Sequence, residues 1–445
     1  MKEKLSRKEN IAIGSLLFGL FFGAGNIIFP VLMGQKAGKL FPVTSIGFLL
    51  VAIGLPILGV ISFALSKKEN LQEYASIGGQ AFGLFFTIAL YMTIGPLFAI
   101  PRTATVAFEV GFGLAPAGGS NSIYLLIYSV LFFIGVLFFS LRPNRLMDVI
   151  GRILSPLFMA LLAVIVVASL VSPMGNAAHY LPEASYAAAP LIKGSLDGYS
   201  TMDALASLAF GIIIIDNIRL LHVTDPKKIG KETAKSSLFT ILFMSVIYIA
   251  LAYIGATSNG IMEPQANGGL ILAKTARYYF GTIGQFLLAS TVTVACFKTA
   301  IGLIAAIAQT FESLLQKKVS YRILAVIFTL ASFIIANFGL NTIIAFSIPI
   351  LMFLYPLAIT LILLHLISSV LPLKPSAFSI SLTLACIPAF FDGIKAAPEI
   401  LSSTAIFQTL IQFAEKFLPL YDQGISWVIP VGAGILLSLL FFRKQ

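Results

Sequence analysis

Long apolar runs, punctuated by short charged or Gly/Pro/Asn-rich turns, recur along nearly the whole chain. Twelve windows read as membrane helices: 10–33, 41–65, 82–107, 122–141, 151–172, 199–219, 237–256, 282–312, 322–338, 341–370, 377–394 and 425–442. Each approaches the ~20 mostly apolar residues needed to cross about 30 Å of hydrocarbon. Lipid offers the backbone no hydrogen-bond partner, so runs of this length are expected to be helical and to bond within themselves. The more polar segments 257–281 and 395–424 are expected to hold short helices between spans.

Composition sharpens that picture. Of 445 residues, 58% are hydrophobic and only 11% charged, with a mean hydropathy of +0.98, whereas a soluble domain is about 25% charged. The fold class expected is therefore an all-α integral membrane protein of about 12 transmembrane helices. The net charge of +11 sits in loops. With both termini cytoplasmic, one side collects Lys2, Lys4, Arg7, Lys8, Lys67, Lys68, Arg142, Arg145, Arg152, Arg219, Lys227, Lys228, Lys231, Lys235, Lys317, Lys318, Arg322, Lys374, Arg443 and Lys444. The other side holds Lys36, Lys39, Lys193, Lys274, Arg277, Lys395 and Lys416, and Arg102 and Lys298 fall inside spans. This asymmetry is the positive-inside pattern of a multi-pass protein of the cytoplasmic membrane, and it gives no reason to invoke nucleic acid.

Chemistry of other kinds finds little support. The opening MKEKLSRKEN leads into an apolar run with no small-residue cleavage site, which reads as a retained first helix. Cys296 and Cys386 lie in apolar runs and read as packing residues. His179, His222 and His365 are far apart, and neither a P-loop nor an HExxH is present. Neither an enzyme nor a metal or cofactor site is expected. A channel would show a filter motif or repeated charged rings, which this chain lacks.

Two spans are not plain helices. The first reads IAIGSLLFGLFFGAGNIIFP, with Gly23, Ala24, Gly25 and Asn26 near its middle and Pro30 beyond. Gly14 and Gly19 fit ordinary small-residue packing, but Gly, Asn and Pro are each costly inside a helix, and their concentration here points to a break. The sixth span reads YSTMDALASLAFGIIIIDNIR, where Ser207, Ala209 and Gly211 surround Phe210. On its own that stretch also suits helix packing. Paired interruptions at equivalent places of two five-helix repeats, however, point to a midplane site. A break frees N–H groups that suit a carboxylate and C=O groups that suit a small cation, and Asn26 adds a neutral oxygen.

At these residues the chain resembles the bacterial branched-chain amino acid transporters of the LIVCS family (BrnQ-like). The likeness is carried by GLFFGAGNIIFP (19–30), GPLFAIPRTATVAFE (95–109), RPNRLMDVIGRILSP (142–156), GYSTMDALASLAFGIII (198–214) and ACFKTAIGL (295–303). It implies uptake of leucine, isoleucine and valine coupled to Na+ or H+. It also implies one transmembrane domain over 1–442 with a LeuT-like 5+5 inverted repeat: repeat one about 8–172, repeat two about 198–370, helices 1 and 6 broken, and two additional helices over about 377–442. By the same resemblance, Gly23, Ala24 and Gly25 would hold the substrate carboxylate, Asn26 would face the cation, Ser207 would lie by the carboxylate, and Phe210 beside Gly211 would meet the aliphatic side chain.

The chain departs from the LeuT-type pattern in the eighth span. Thr299 keeps the hydroxyl that such sodium sites use, but Lys298 places a cation there. Either its ammonium replaces the sodium, giving a sodium-independent or proton-coupled carrier, or it faces a neighbouring helix or cavity. A LeuT-type transporter of another small substrate is the remaining alternative. Further charged positions carry expectations: Arg102 pairing with Glu109, reaching the outer aqueous boundary or touching the substrate; Asp203 capping a half-helix or meeting a substrate ammonium or proton; Asp216 beside Arg219 as a solvated end, a gate or an interfacial ion pair; and Asp392 with Lys395 as an interface pair. His365 is expected to be a satisfied neutral residue.

Overall fold

The computed structural model describes residues 4–113, 121–141 and 146–441, with backbone alone at 121 and 146–158. Lys2, Arg142, Arg145, Arg443 and Lys444 of the charge pattern, and residues 142–145 of the family-like stretch 142–156, lie outside the described residues, as does the side chain of Arg152. The path is helical almost throughout: α1 (Arg7–Phe21), α2 (Ala24–Ala37), α3 (Phe41–Leu49), α4 (Leu55–Ser66), α5 (Gln80–Met92), α6 (Ala99–Phe112), α7 (Asn121–Ser140), α8 (Leu146–Val171), α9 (Pro190–Tyr199), α10 (Asp203–Leu220), α11 (Pro226–Ser258), α12 (Gly268–Leu314), α13 (Tyr321–Ala336), α14 (Leu340–Val370), α15 (Pro375–Lys395), α16 (Ala405–Phe417) and α17 (Val428–Phe441). Short helical turns fill the connections, and α16 lies in the segment 395–424, where a helix between spans was expected.

Each of the twelve apolar windows contains helix. Among the described residues, seven helical stretches are long and apolar enough to cross a membrane, or eight when α9 and α10 count as one bent span. Three further apolar helices, Met159–Val171, α13 and α17, are shorter than that length, so helix length alone does not fix the number of crossings. The stretch from Ala24 to Ser66 is one helical path of 43 residues turned at Gly38, whose φ is 49°, and α13 and α17 are short apolar helices of 16 and 14 residues.

Two spans bend where proline or glycine interrupts the backbone ladder. Between α5 and α6 a π-type turn, Thr93–Leu97, contains Pro96 and a non-helical Gly95; proline there has no N–H to give. In α12 Gly281 adopts φ 61° and ψ −158°, so the predicted window at 282–312 opens one residue after the bend.

The helices that carry the breaks are seated backbone to backbone. A Cβ at Gly34 of α2 would fall 1.9 Å from the carbonyl oxygen of Ala252 on α11, and one at Gly255 of α11 would fall 1.9 Å from that of Val31. The same device joins α9 to α3, where Cβ atoms at Gly47 and Gly194 would meet Leu191 O at 1.9 Å and Thr44 O at 2.0 Å. Small residues at such crossings let membrane helices gain contact that hydrophobicity, with lipid on all sides, does not supply. Before the first break, α1 is tied to α11 by side chains: Thr240 Oγ1 donates to Gly14 O at 2.9 Å and Ser236 Oγ to Asn10 Oδ1 at 2.8 Å.

Candidate functional site

The first span breaks where its glycines stand. α1 ends at Phe21; Phe22 (φ −74°, ψ 101°) and Gly23 (φ −130°, ψ −168°) are extended, and α2 begins at Ala24. Asn26 closes the new helix start by accepting the Gly23 N–H on Oδ1 at 3.2 Å. The first N–H groups of any helix lack intrahelical acceptors, so those of Ala24 and Gly25 face the break. Pro30 lies inside α2 and cannot donate to the Asn26 carbonyl four residues back, which leaves an oxygen near the break without its usual partner.

The second break lies earlier than expected. α10 runs unbroken from Asp203 through Ser207, Ala209, Phe210 and Gly211. The interruption is at Ser200–Met202, where α9 and α10 meet at 48°. The window 199–219 therefore covers only the half of this span that follows the break. The half before the break, α9, carries Lys193 and Asp197, which lower its hydropathy. These two charges pair one helical turn apart, and Lys193 also sits 4.9 Å from the Tyr186 ring centre. Ser207 and Gly211 are small for a packing reason: Ser207 Oγ donates to Ala204 O at 2.7 Å, and both residues face Gly59 and Phe63 of α4. Phe210 is half-buried.

Three helices bring the two breaks together. Asn26 Nδ2 donates to Asp203 Oδ2 at 2.5 Å and also to the Tyr248 hydroxyl of α11, which in turn donates to Asp203 Oδ2 at 3.4 Å. Arg102 of α6 donates from Nη1 to the Ser200 carbonyl at 2.7 Å and lies 5.0 Å from the Phe29 ring centre. Its Nη2 is 3.0 Å from where a Cβ on Gly25 would stand. Asn26, Arg102 and Asp203 are 2%, 3% and 4% exposed, so both charges are inside the protein, and Asp203 attracts Arg102 electrostatically. A buried charge is tolerated only with partners of this kind.

Arg102 thus serves the second break instead of pairing with Glu109, whose carboxyl turns to Asn267. Asp203 opens α10 without capping it. Its own N–H goes to Thr201 Oγ1 at 3.3 Å, and its carboxylate reaches across to two other helices. Thr299 lies beside the first break, its methyl 3.8 Å from a Cβ on Gly23, and its hydroxyl donates to Ala295 O at 3.1 Å. Lys298, next to it, is half-buried and makes no hydrogen bond or ion pair among the described residues.

Elsewhere the charged positions behave structurally. Asp216 and Arg219 pair at 3.1 Å on an exposed surface. His365 bonds Tyr74 O at 3.0 Å and stacks on the Tyr74 ring. Asp392 accepts the Ser426 N–H at 3.1 Å, while Lys395 pairs with Asp422 at 3.7 Å instead of with Asp392.

Tyr248 and Tyr355 escaped the sequence reading. Tyrosine is usually found at the membrane interface; in mid-span its hydroxyl needs a polar partner, and that was the signal available.

A family model described as branched-chain amino acid transport protein matches residues 6–445. The branched-chain amino acid permease BrnQ of Lactobacillus delbrueckii subsp. lactis is 45% identical over 435 residues, covering 97% of this chain and 96% of that protein. The branched-chain amino acid permease BraB of Bacillus subtilis is 41% identical over 437 residues, covering 98% and 96%. Among solved structures, MhsT in complex with L-phenylalanine aligns over 98% of this chain and all of its own, at a TM-score of 0.56 and 15% identity, a likeness in fold alone.

Proposed function

The chain belongs to the branched-chain amino acid transport protein family, and we propose that it carries leucine, isoleucine and valine into the cell by alternating access, driven by Na+ or H+. The observation that carries this reading is the meeting of two broken helices across the Asn26–Asp203 and Arg102–Ser200 hydrogen bonds. The protein sits in the cytoplasmic membrane with both termini inside, its two repeats over about 8–172 and 198–370 and its additional helices over about 377–442. The substrate carboxylate lies at the first break on the N–H groups of Ala24 and Gly25, beside Gly23, whose own N–H is held by Asn26 Oδ1, with Asn26 at the cation side and Phe210 as an apolar wall. Ser207 and Gly211 stand behind that wall against α4. An apolar pocket holds these substrates at ~0.8 kcal/mol per buried methylene, and so separates leucine, isoleucine and valine only weakly, by about 1–3 kcal/mol per methylene.

Lys298 supports a second reading of the coupling. Its neighbour Thr299 lies against the first break, and an ammonium on the same turn would take the place of a sodium ion. Uptake of radiolabelled leucine into proteoliposomes under a sodium gradient, a proton gradient, both or neither decides between the two. Sodium-driven uptake in the wild type makes Lys298 a bystander. Sodium-indifferent uptake that becomes sodium-dependent in Lys298→Thr puts the ammonium in the ion's place. No leucine uptake under any gradient would overturn the transport reading itself.

A further inference from the structure

One polar atom near the breaks is left without a partner. Tyr355, on α14, is fully buried, and its hydroxyl has no hydrogen-bond partner among the described residues. The ring is stacked on Tyr199, the last residue of α9, with centres 4.1 Å apart and planes 17° from parallel. That stacking delivers the hydroxyl to the turn of the second break, where it lies near Thr201 and Ala204 without hydrogen-bond geometry to either, and within electrostatic reach of Asp203. A buried hydroxyl that bonds to nothing is destabilising, and phenylalanine would fill the same space without that cost. The tyrosine is accounted for if the missing partner is something that visits the site.

The neighbourhood fixes the sign of that visitor. Asp203 is the buried anion at the break, it begins α10 within electrostatic reach of Tyr355, and its hydrogen bonds from Asn26 and Tyr248 both reach the same oxygen, Oδ2. Arg102, the neighbouring cation, is turned away to Ser200 O and the Phe29 ring. A group that takes a carboxylate and a neutral hydroxyl oxygen together carries positive charge and several N–H donors. We propose that Tyr355 and Asp203 form the subsite for the primary ammonium group of the transported amino acid, the hydroxyl oxygen accepting one N–H and the carboxylate another. This rests on the reading of the breaks as the amino-acid site, and it places the ammonium at the second break, opposite the carboxylate at the first.

The test uses the full-length purified protein, the variants Tyr355→Phe and Asp203→Asn, and two ligands: leucine and 4-methylpentanoate, which is leucine without its amine. With ligand absent, Tyr355→Phe is expected to unfold at the same temperature as wild type or higher, because an unsatisfied hydroxyl has been removed. Its leucine affinity is expected to fall about tenfold or more, the loss typical of a hydrogen bond to a charged group. Asp203→Asn is expected to lose more leucine affinity than Tyr355→Phe. Binding of 4-methylpentanoate, measured by competition, should be as weak in both variants as in wild type, so that the preference for leucine shrinks. A lower unfolding temperature for empty Tyr355→Phe would show that the hydroxyl already has a structural partner, and would overturn the proposal. So would equal weakening of both ligands, or unchanged leucine affinity accompanied by a shift in the half-saturating Na+ or H+ concentration, which would assign the pair to the coupling ion. If wild type binds no branched-chain amino acid at all, the transport reading fails first and the subsite falls with it.

Discussion

The two breaks do the same job with different chemistry. At the first, the chain leaves the helix through Phe22 and Gly23 in extended conformations that cost little, and the side chain of Asn26 closes the next helix. At the second there is no glycine. Ser200, Thr201 and Met202 fold back in tight turns onto Asp197, Gly198 and Tyr199, Thr201 Oγ1 bonds both the Gly198 carbonyl and the Asp203 N–H, and Met202 is held left-handed at φ 64°. A left-handed residue other than glycine costs about 1–2 kcal/mol, which the surrounding contacts have to offset. Flexible residues thus make one break and enforced geometry makes the other. The first is held through the Asn26 side chain, on Gly23, Asp203 and Tyr248, whereas the second is held in shape by Arg102 on Ser200 O and by the Tyr199–Tyr355 stack.

The largest test of that contrast removes the clamp. Arg102→Met leaves the Ser200 carbonyl without its donor and removes the positive charge that attracts Asp203 from a distance, and stripping one member from a buried charged set costs about 3–5 kcal/mol. Leucine uptake in proteoliposomes is expected to fall to background, and thermal unfolding in detergent to drop by several degrees. A variant with wild-type uptake would show that the second break keeps its shape without the guanidinium.

The first break is probed by paired glycine substitutions. A methyl at Gly25 would stand 3.0 Å from Arg102 Nη2 and 3.3 Å from the Phe29 ring, tighter than packed side chains tolerate, whereas a methyl at Gly23 would meet Thr299 at an ordinary 3.8 Å. Overpacking typically costs ~1–3 kcal/mol. Gly25→Ala is therefore expected to lower leucine uptake about tenfold or more, and Gly23→Ala, whose φ of −130° suits alanine, to lower it several-fold less. Equal losses would mean that Gly23 needs its freedom for motion and not for the fit seen here.

Legibility in the sequence follows the same contrast. Hydrophobic periodicity located helix in each of the twelve windows, and Gly-Ala-Gly-Asn with Pro30 marked the first break, because glycine and proline announce backbone departures by their own covalent chemistry. The second break was placed about seven residues late for two physical reasons. Its turn is built from Ser, Thr and Met, none of which signals a left-handed residue, and the half-helix before it carries Lys193 and Asp197, whose charges hid it from hydropathy until their pairing was visible. Ser207 and Gly211, the small residues the sequence offered, lie on the face of α10 packed against α4. Arg102 and Asp203 stood out as intramembrane charges, but their true partners, a backbone carbonyl and side chains on two other helices, depend on contacts distant in sequence.

The smallest expected effect separates packing glycines from break glycines. A Cβ at Gly211 would lie 3.5 Å from the Phe63 side chain, an ordinary contact, and α10 is regular there. Alanine is favoured over glycine inside a helix by about 1 kcal/mol, so Gly211→Ala is expected to keep leucine uptake within about twofold of wild type and to leave the unfolding temperature equal or slightly raised. If position 211 were part of an unwound segment, the same substitution would straighten it and abolish uptake. A near-neutral Gly211→Ala beside a damaging Gly25→Ala would place the moving backbone of the sixth span upstream of Asp203, while a strong loss at Gly211 would mean that α10 itself unwinds in another state of the transport cycle.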